Sequence, residues 1–450
     1  VKGETHDIAE EEKHITEDRM KFRRSRANRR PFAVLDIGSS KMCCMIGDPD
    51  RQGGLHLLGQ GTHASAGMRG GEISDLEAVS EVIGKTVQAA ERDAGISVDS
   101  VTVVLPGGRP ASQIRTNAIT LSDNTVSRRD MRRLMDKNAG HEPSQTHQPM
   151  QMQTLHYSLD EVRDIADPRG MRGRELGVNY TVISAAKTSL ANFREALALN
   201  HLGVDRFIHA GYAAGTACLT EEERDLGSTL IDFGGGTTSL ATFMDGKVIY
   251  ADTVPIGGHH VTTDIARILS IPVADAERLK AVEGSIMPID TLAVAPSPLQ
   301  EAVKLGKSDN ITLPGLGDTI NVGGKVIERN LLSAIIRPRI DEILEMLMSR
   351  MAAAKMQHAA GGRLILAGGA SQLTGLGDFC ATTLDKTVKP GMPSGITGLT
   401  NDTNNAGHAA AIGALIHVNR LEDDDPAERQ TRTLPHGPIE RFGAWLRDNL

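Results

Sequence analysis

Apolar residues along this chain recur in two alternating textures: short continuous runs bounded by glycine, and longer stretches repeating at i, i+3 and i+4. The first marks buried strands and the second amphipathic helices. FAVLDIGSSKMCCMIG (Phe32 to Gly47) predicts strand, turn, strand, and GGLHLLGQGTHA after it predicts another β segment. Ser74 to Gly95 predicts a helix, with Ser74 and Glu77 spaced as a capping box and Gly95 placed to end it. VDSVTVVLPGG returns to strand. From Lys187 the alternation resumes with helix TSLANFREALALNHLG, strand VDRFIHAG, helix YAAGTACLTEEER and the strand pair STLIDFGGGTTSLATF. Helices follow around Asp264 to Leu269 and in ADAERLKAVEG, then a Gly/Pro-punctuated strand region from Ile286 to Val326. A long helix from Arg329 to Met356, interrupted near Pro338, precedes the strand RLILAGG, which runs into a helix from Ser371.

Residues 109–188 break this rhythm. Polar alternation, a charged helix candidate (Ser127 to Lys137), a Gln/His/Pro-rich loop (His141 to Gln153) and a further strand pair mark an insert or small subdomain. Residues 421–437 carry two prolines, many charges and no apolar period, as a linker does.

Composition narrows the class. A length of 450 residues implies more than one domain. Aromatic residues are only 3%, so the core must be built from Ala, Val, Ile and Leu. The net charge of -8 argues against a nucleic-acid protein, and the basic run Lys21 to Arg30 reads as a solvated tail. Cys43, Cys44, Cys218 and Cys380 form no C-x-x-C pair and fit a reducing compartment. No stretch approaches the roughly 20 apolar residues of a membrane span. Residues 1–31 have many charges and no apolar h-region, which predicts a disordered extension rather than a secretory signal.

The chemistry lies in a repetition. FAVLDIGSSKMCCMI and STLIDFGGGTTSLAT share one pattern: apolar strand, Asp, apolar, Gly, small polar residues, apolar strand. Their aspartates, Asp36 and Asp232, stand about 200 residues apart, each opening an α/β half. Two such turns facing one another would present backbone N–H groups to one anion. The residues suit a nucleoside triphosphate. Gly38, Gly234, Gly235 and Gly236 allow close approach, Ser39, Ser40, Thr237 and Thr238 add hydroxyls, and Lys41 adds a cation. Asp36 and Asp232 could hold hydrated Mg²⁺, which keeps most of its waters and uses few carboxylates. A third segment, LILAGGASQLTGL, supplies Gly368 and Gly369 at a strand-to-helix junction where adenosine could lie flat.

With these three segments the chain resembles the actin, chaperone and sugar-kinase ATPase superfamily, and within it the FtsA family of bacterial cell division proteins. LDIGSSK resembles the family's first phosphate turn, DFGGGTTSLA its second and LAGGASQLTGL its adenosine motif. ADAERLK is similar to its adenosine-facing helix, pointing to Glu277 and Lys280, while GMRGGEISDLEAV, TEEERDLG and GGHHVTTDIA also resemble it. The resemblance implies an actin-like, ribonuclease H-like α/β fold with two duplicated domains around a nucleotide cleft. It places subdomain 1A at 32–108, 189–226 and 395–420, subdomain 1C at 109–188, subdomain 2A at 227–269 and 331–394, and subdomain 2B at 270–330. It implies ATP and Mg as ligands and a filament of copies of the chain on the cytoplasmic face of the cell membrane. It implies the C-terminal peptide of FtsZ as a partner, with Lys325 and Arg329 in GGKVIERNLLSAIIRPR as contact candidates.

The last residues, 438–450, resemble the family's membrane helix. At about 100° per residue, Ile439, Phe442, Trp445, Leu446 and Leu450 fall on one face, opposite Glu440, Arg441, Arg447 and Asp448. The only tryptophan of the chain therefore stands where a lipid headgroup interface would take it.

Three features stand apart. Related chaperone and MreB sequences carry a water-positioning glutamate where this chain has Ala210 in HAGYAAG, which implies slow hydrolysis. Leu305 to Asn310 contains Gly-Lys-Ser, but Glu301 occupies the place of the P-loop's first glycine, so no P-loop is expected. His259 and His260 have no third ligand at metal spacing and read as structural. Two other functions fit the same fold: a small-molecule kinase, and an FtsA-like pilus or secretion adaptor.

Overall fold

The computed structural model describes residues 30–50, 53–139, 144–286, 310–312, 326–356, 361–400 and 402–423. Most of the N-terminal extension, the Gly-Lys-Ser segment at 305–309, most of the 286–326 region and all residues after 423 lie outside them.

Two five-stranded sheets form the frame, and they share one topology. In the first, strands Leu55–Ala64, Lys41–Pro49, Phe32–Ile37, Ser100–Leu105 and Gly203–His209 lie side by side. In the second the order is Lys247–Val254, Thr238–Met244, Ser228–Phe233, Arg363–Ala367 and Thr387–Pro390. Each sheet has two antiparallel pairings followed by two parallel ones. The registers coincide as well: Asp36 pairs with Cys43 and Ile37 with Met42, as Asp232 pairs with Ser239 and Phe233 with Thr238. The duplication read from two short motifs thus extends to ten strands.

An alanine-rich helix pair fills the space between the sheets. Helices Ala210–Cys218 and Ala409–Asp423 belong to one apolar core with residues of both sheets, among them Val34, Val104, Leu230 and Ile365. They cross so closely that a Cβ on Gly413 would lie 1.7 Å from the carbonyl oxygen of Ala213. Small side chains allow this approach, which explains how a chain with few aromatics still packs densely. His209, fully buried, starts the first of these helices: its Nδ1 accepts from the Tyr212 amide at 3.3 Å. Its Nε2 then carries the proton and donates to Thr253 Oγ1 at 3.0 Å, tying the first sheet to the second. Burial pushes its pKa down to about 4.

The outer face of the second sheet packs on helices Gly258–Leu269, Val273–Glu283, Arg329–Ala353 and Leu376–Leu384. The long helix does not break at Pro338. Leu332, Ile335 and Ile336 before the proline and Ile340, Ile343 and Leu347 after it bury on one continuous stripe. Arg339 beside the proline also pairs with Asp264 at 2.7 Å. This packing outweighs the cost of about 3 kcal/mol for proline inside a helix.

The insert is a four-stranded antiparallel sheet, ordered Ala111–Thr120, Glu175–Ala186, His147–Leu159, Val162–Ile165, with helix Arg128–Ala139 on it. The expected Gln/His/Pro-rich loop is, from His147 onward, a strand paired with Glu175–Ala186, bulged at two points. Its polarity misled because much of this strand is only half-buried. The insert reaches the second half too: Val248 N donates to Gln153 Oε1 at 3.0 Å, and Lys247 Nζ donates to the Leu155 carbonyl.

Other expected ends shift slightly. The helix foreseen from Ser74 is capped by Asp75, whose side chain accepts from Ala78 N at 3.1 Å, and ends at left-handed Gly95. Ser74 instead donates to the Gly67 carbonyl. YAAGTACLTEEER is two helices, the second, Glu221–Asp225, opened by a Thr220–Glu223 capping box. Helix Gly258–Leu269 starts earlier than foreseen, and after RLILAGG comes a 3-10 turn, Gly369–Gln372, before helix Leu376–Leu384.

Candidate functional site

The two glycine turns meet at the mouth of a cleft of about 360 Å³ between the halves. Each turn is closed the same way. A Cβ on Gly38 would lie 2.6 Å from the Lys41 carbonyl oxygen, and one on Gly234 would lie 2.8 Å from that of Thr237. Glycine is required at both positions because the chain folds back onto itself there. The turns also touch each other: a Cβ on Gly235 would lie 2.9 Å from Ser40 Cβ, and one on Gly236 would lie 2.4 Å from Ser39 Oγ.

The N-terminus of helix Gly258–Leu269 seats the second turn. Gly258 N donates to the Gly234 carbonyl at 2.9 Å and His259 N to the Gly235 carbonyl at 2.7 Å. A trans peptide points its N–H opposite to its C=O. The amides of Gly235 and Gly236 therefore face away from the helix, and that of Gly235, on the cleft wall, can meet an anion. Ser39 Oγ is buried with no hydrogen-bond partner among the described residues, a state that an oxygen-rich ligand would relieve.

Asp36 and Asp232 lie at the strand ends beneath these turns. Burial raises the pKa of Asp36 to about 6 although Lys41 opposes it, and burial with the neighbouring Asp36 raises Asp232 to about 7. Two carboxylates that desolvation holds partly protonated are poised to ionise against a cation. Among the described residues no cluster of three metal-ligating side chains occurs. A divalent ion held by this pair would complete its shell with water and phosphate oxygens, as Mg²⁺ does. Gly368 has φ 85°, and a Cβ there would lie 2.3 Å from Asp232 Oδ1, so this glycine makes room for the carboxylate itself.

Part of the cleft wall is apolar. Ala281, Ile340, Ile343 and Leu373 line it, as does Gly369. Glu277 and Lys280 also stand on the cleft wall, joined at 2.8 Å, and Lys280 also donates to the Gly258 carbonyl at 3.1 Å. Burial opposes ionisation of Glu277, but hydrogen bonds from Lys280 and Thr262 hold its carboxyl below the ordinary range. Flat apolar walls with a few polar groups suit a nucleoside, and the turns suit its phosphates.

The structure gathers into this one cleft every residue foreseen for it except Gly236 and Thr238. Gly236 lies behind the wall against Ser39, and Thr238 is buried with its hydroxyl donating to the Ile256 carbonyl at 2.8 Å. Ala210 does line the cleft. Of the partner-contact candidates, Lys325 lies outside the described residues. Arg329 forms an ion pair with Glu283, their side chains 16% and 25% exposed. Ile439, Phe442, Trp445, Leu446 and Leu450 lie outside the described residues, and among those described no helix is long and apolar enough to cross a membrane.

Sequence reasoning missed two histidines. His259 was read as structural, yet it lines the cleft, and its ring Nε2 donates to the Ser39 carbonyl at 3.3 Å. His260 is structural: its Nδ1 accepts from Gly257 N at 3.2 Å and caps the helix. His408, just before helix Ala409–Asp423, holds Lys41 Nζ at 2.7 Å. The hairpin Met68–Arg69 with Glu72–Ile73 lies within GMRGGEISDLEAV. It abuts the second turn, where a Cβ on Gly71 would lie 2.7 Å from Thr237 Cγ2. Its Glu72 accepts from Ser189 Oγ at 2.9 Å, next to the point where the chain returns from the insert.

Comparison with known proteins agrees with the motifs. A family described as "Cell division protein FtsA" matches residues 229–413, and one described as "SHS2 domain inserted in FTSA" matches 107–184. The cell division protein FtsA of Rhizobium meliloti (strain 1021) is 36% identical over 436 residues, covering 93% of this chain and 94% of the relative. That of Escherichia coli (strain K12) is 26% identical over 430 residues, covering 93% and 98%. Among solved structures, a PilM-PilN type IV pilus biogenesis complex shares the fold, with TM-score 0.57 and 16% identity over 86% of this chain and 98% of that one.

Proposed function

The chain belongs to the FtsA family of cell division proteins, with its actin-like fold, and on that premise we propose that it binds Mg-ATP in the cleft, polymerises on the cytoplasmic face of the cell membrane and tethers the FtsZ ring there. One observation carries the nucleotide reading: two touching glycine turns, each with a buried aspartate at its base, line a single cleft that also has apolar walls. In this reading the amide of Gly235 and the hydroxyls of Ser39, Ser40 and Thr237 receive the phosphates. Lys41 neutralises them, and Asp36 and Asp232 hold hydrated Mg²⁺, which screens the phosphate charge. Gly368 and Gly369 admit the adenosine beside Glu277 and Lys280. Ala210 gives no carboxylate to orient an attacking water, so turnover is slow, well under the roughly 10 s⁻¹ typical of enzymes.

Binding to the FtsZ C-terminal peptide is assigned to the region 270–330, and membrane attachment to residues 438–450, where one short amphipathic helix would bind weakly and a filament of many would bind avidly. The test is the full chain with Mg-ATP and lipid vesicles, followed by negative stain, co-sedimentation and calorimetry. Filaments on vesicles are expected. Deleting 438–450, or Trp445→Glu, releases the protein from vesicles and leaves ATP binding intact. Co-sedimentation of the deletion at the wild-type level overturns the tether, and absence of ATP binding by the wild type overturns the cleft assignment.

A further inference from the structure

Lys41 closes the first glycine turn, and its ammonium does not hang free in the cleft. Nζ lies 2.7 Å from Nε2 of His408, a residue only 7% exposed at the start of the closing helix Ala409–Asp423. The proton positions in this contact follow from three independent facts. An ammonium only donates, so Nε2 must accept. Nδ1 must then carry the hydrogen, and it lies 3.2 Å from Asn405 Oδ1. That oxygen is identified as the acceptor end of the amide because it also receives Gly407 N at 2.9 Å, while Asn405 Nδ2 donates to the Asp402 carbonyl at 2.6 Å. The chain Lys41, His408, Asn405 therefore has one consistent arrangement, anchored on the backbone. Burial, aided by the nearby Lys41 charge, pushes the His408 pKa down to about 4, so the ring is neutral near pH 7.

A neutral acceptor matters here. Asp36 attracts Lys41, and the attraction is felt by both groups. A lysine left to itself would settle on that carboxylate and cancel the charge a cation needs. Its four-carbon stem also carries rotamer entropy, lost when it is fixed on a ligand. An imidazole that takes one ammonium hydrogen holds the stem in place without neutralising Asp36. Two of the three ammonium hydrogens remain for phosphate oxygens. Lys41 and Gly407 both line the cleft, so the held ammonium stands at its wall.

We propose that His408 is the positioning residue for Lys41, a neutral clamp fixed by Asn405 that presents the ammonium to the phosphates of a bound nucleotide. The inference rests on the nucleotide reading of the cleft and deepens it. A residue that acts through a phosphate-binding lysine affects phosphate recognition and leaves the nucleoside alone.

The experiment compares Mg-ATP with adenosine by calorimetry in the full chain. His408→Leu, which keeps the bulk and removes the acceptor, is expected to weaken Mg-ATP about tenfold and adenosine not at all. His408→Gln, whose amide oxygen can accept from Lys41, restores most of the loss. In a Lys41→Ala background, His408→Leu has no further effect on Mg-ATP. The proposal is overturned if His408→Leu weakens ATP and adenosine equally, if it leaves both at wild-type affinity, or if its effect persists undiminished without Lys41. Wild-type protein that binds neither ligand overturns the nucleotide reading, and this inference with it. Normal wild-type ATP binding with a silent His408→Leu overturns this inference alone.

Discussion

His259 reaches across the cleft to Ser39: its Nε2 donates to the Ser39 carbonyl oxygen at 3.3 Å, joining the helix that seats the second glycine turn to the first turn. A Cβ on Gly235 would lie 3.0 Å from that same nitrogen, so ring, serine and glycine form one contact between the halves. His259→Ala removes the bridge without touching the amides of either turn. Mg-ATP affinity should fall several-fold, by about 1 kcal/mol for one lost hydrogen bond, while the thermal midpoint changes little. Calorimetry on the variant checks this, and unchanged affinity would show that the bridge plays no part in closing the site.

The crossing of the two central helices depends on Gly413. A methyl there cannot fit 1.7 Å from the Ala213 carbonyl, so Gly413→Ala must push helix Ala409–Asp423 away from Ala210–Cys218. Urea unfolding should show a loss of about 3 kcal/mol, the upper end of ordinary overpacking, even though alanine favours helix over glycine by about 1 kcal/mol. A variant as stable as the wild type would mean the helices are farther apart in solution.

The buried aspartates make stability depend on pH in a defined direction. Their folded pKa values, about 6 and about 7, lie above the ordinary 3.8. The folded state holds these protons more tightly than the unfolded one, so their contribution is complete below the ordinary value and is lost as pH rises through the folded values. In nucleotide-free protein, thermal midpoints of wild type and Asp232→Asn, compared from about pH 4 to about pH 8, should diverge progressively in favour of the variant from about pH 4 and level off above about pH 7. Mg-ATP should bind the wild type more tightly over the same rise, because a cation needs the ionised pair. Parallel midpoint curves would refute the buried, protonated pair.

Arg329 is engaged within the chain. Its guanidinium pairs with Glu283 on the neighbouring helix, both side chains mostly shielded. Arg329→Glu should therefore lower stability by about 2 kcal/mol whatever it does to a partner, and Glu283→Lys in the same chain should restore most of that. Urea unfolding of the single and double variants measures the effect. The swapped pair is then the proper protein for testing FtsZ peptide binding, since it reverses the charge at 329 without breaking the contact.

Local pattern by itself determined the two glycine hairpins. A strand, an aspartate and a turn that folds back within four residues are fixed by neighbours in sequence, so the duplication at Asp36 and Asp232 was legible, and the shared register bears it out. The left-handed stop at Gly95 was legible for the same reason. The sequence changes texture over 109–188, and a four-stranded sheet spans Ala111 to Ala186. Tertiary structure decided the rest. Pro338 stays inside a helix because an apolar stripe on both sides of it finds one sheet face. His147–Leu159 is a strand because Glu175–Ala186 is there to pair with it. Gly236 and Thr238 differ from their neighbours only in which way the turn faces, and that depends on Ser39 on one side and Ile256 on the other. His259 and His408 look ordinary in sequence because their partners, Ser39 and Lys41, are more than two hundred residues away and meet them only in the folded chain.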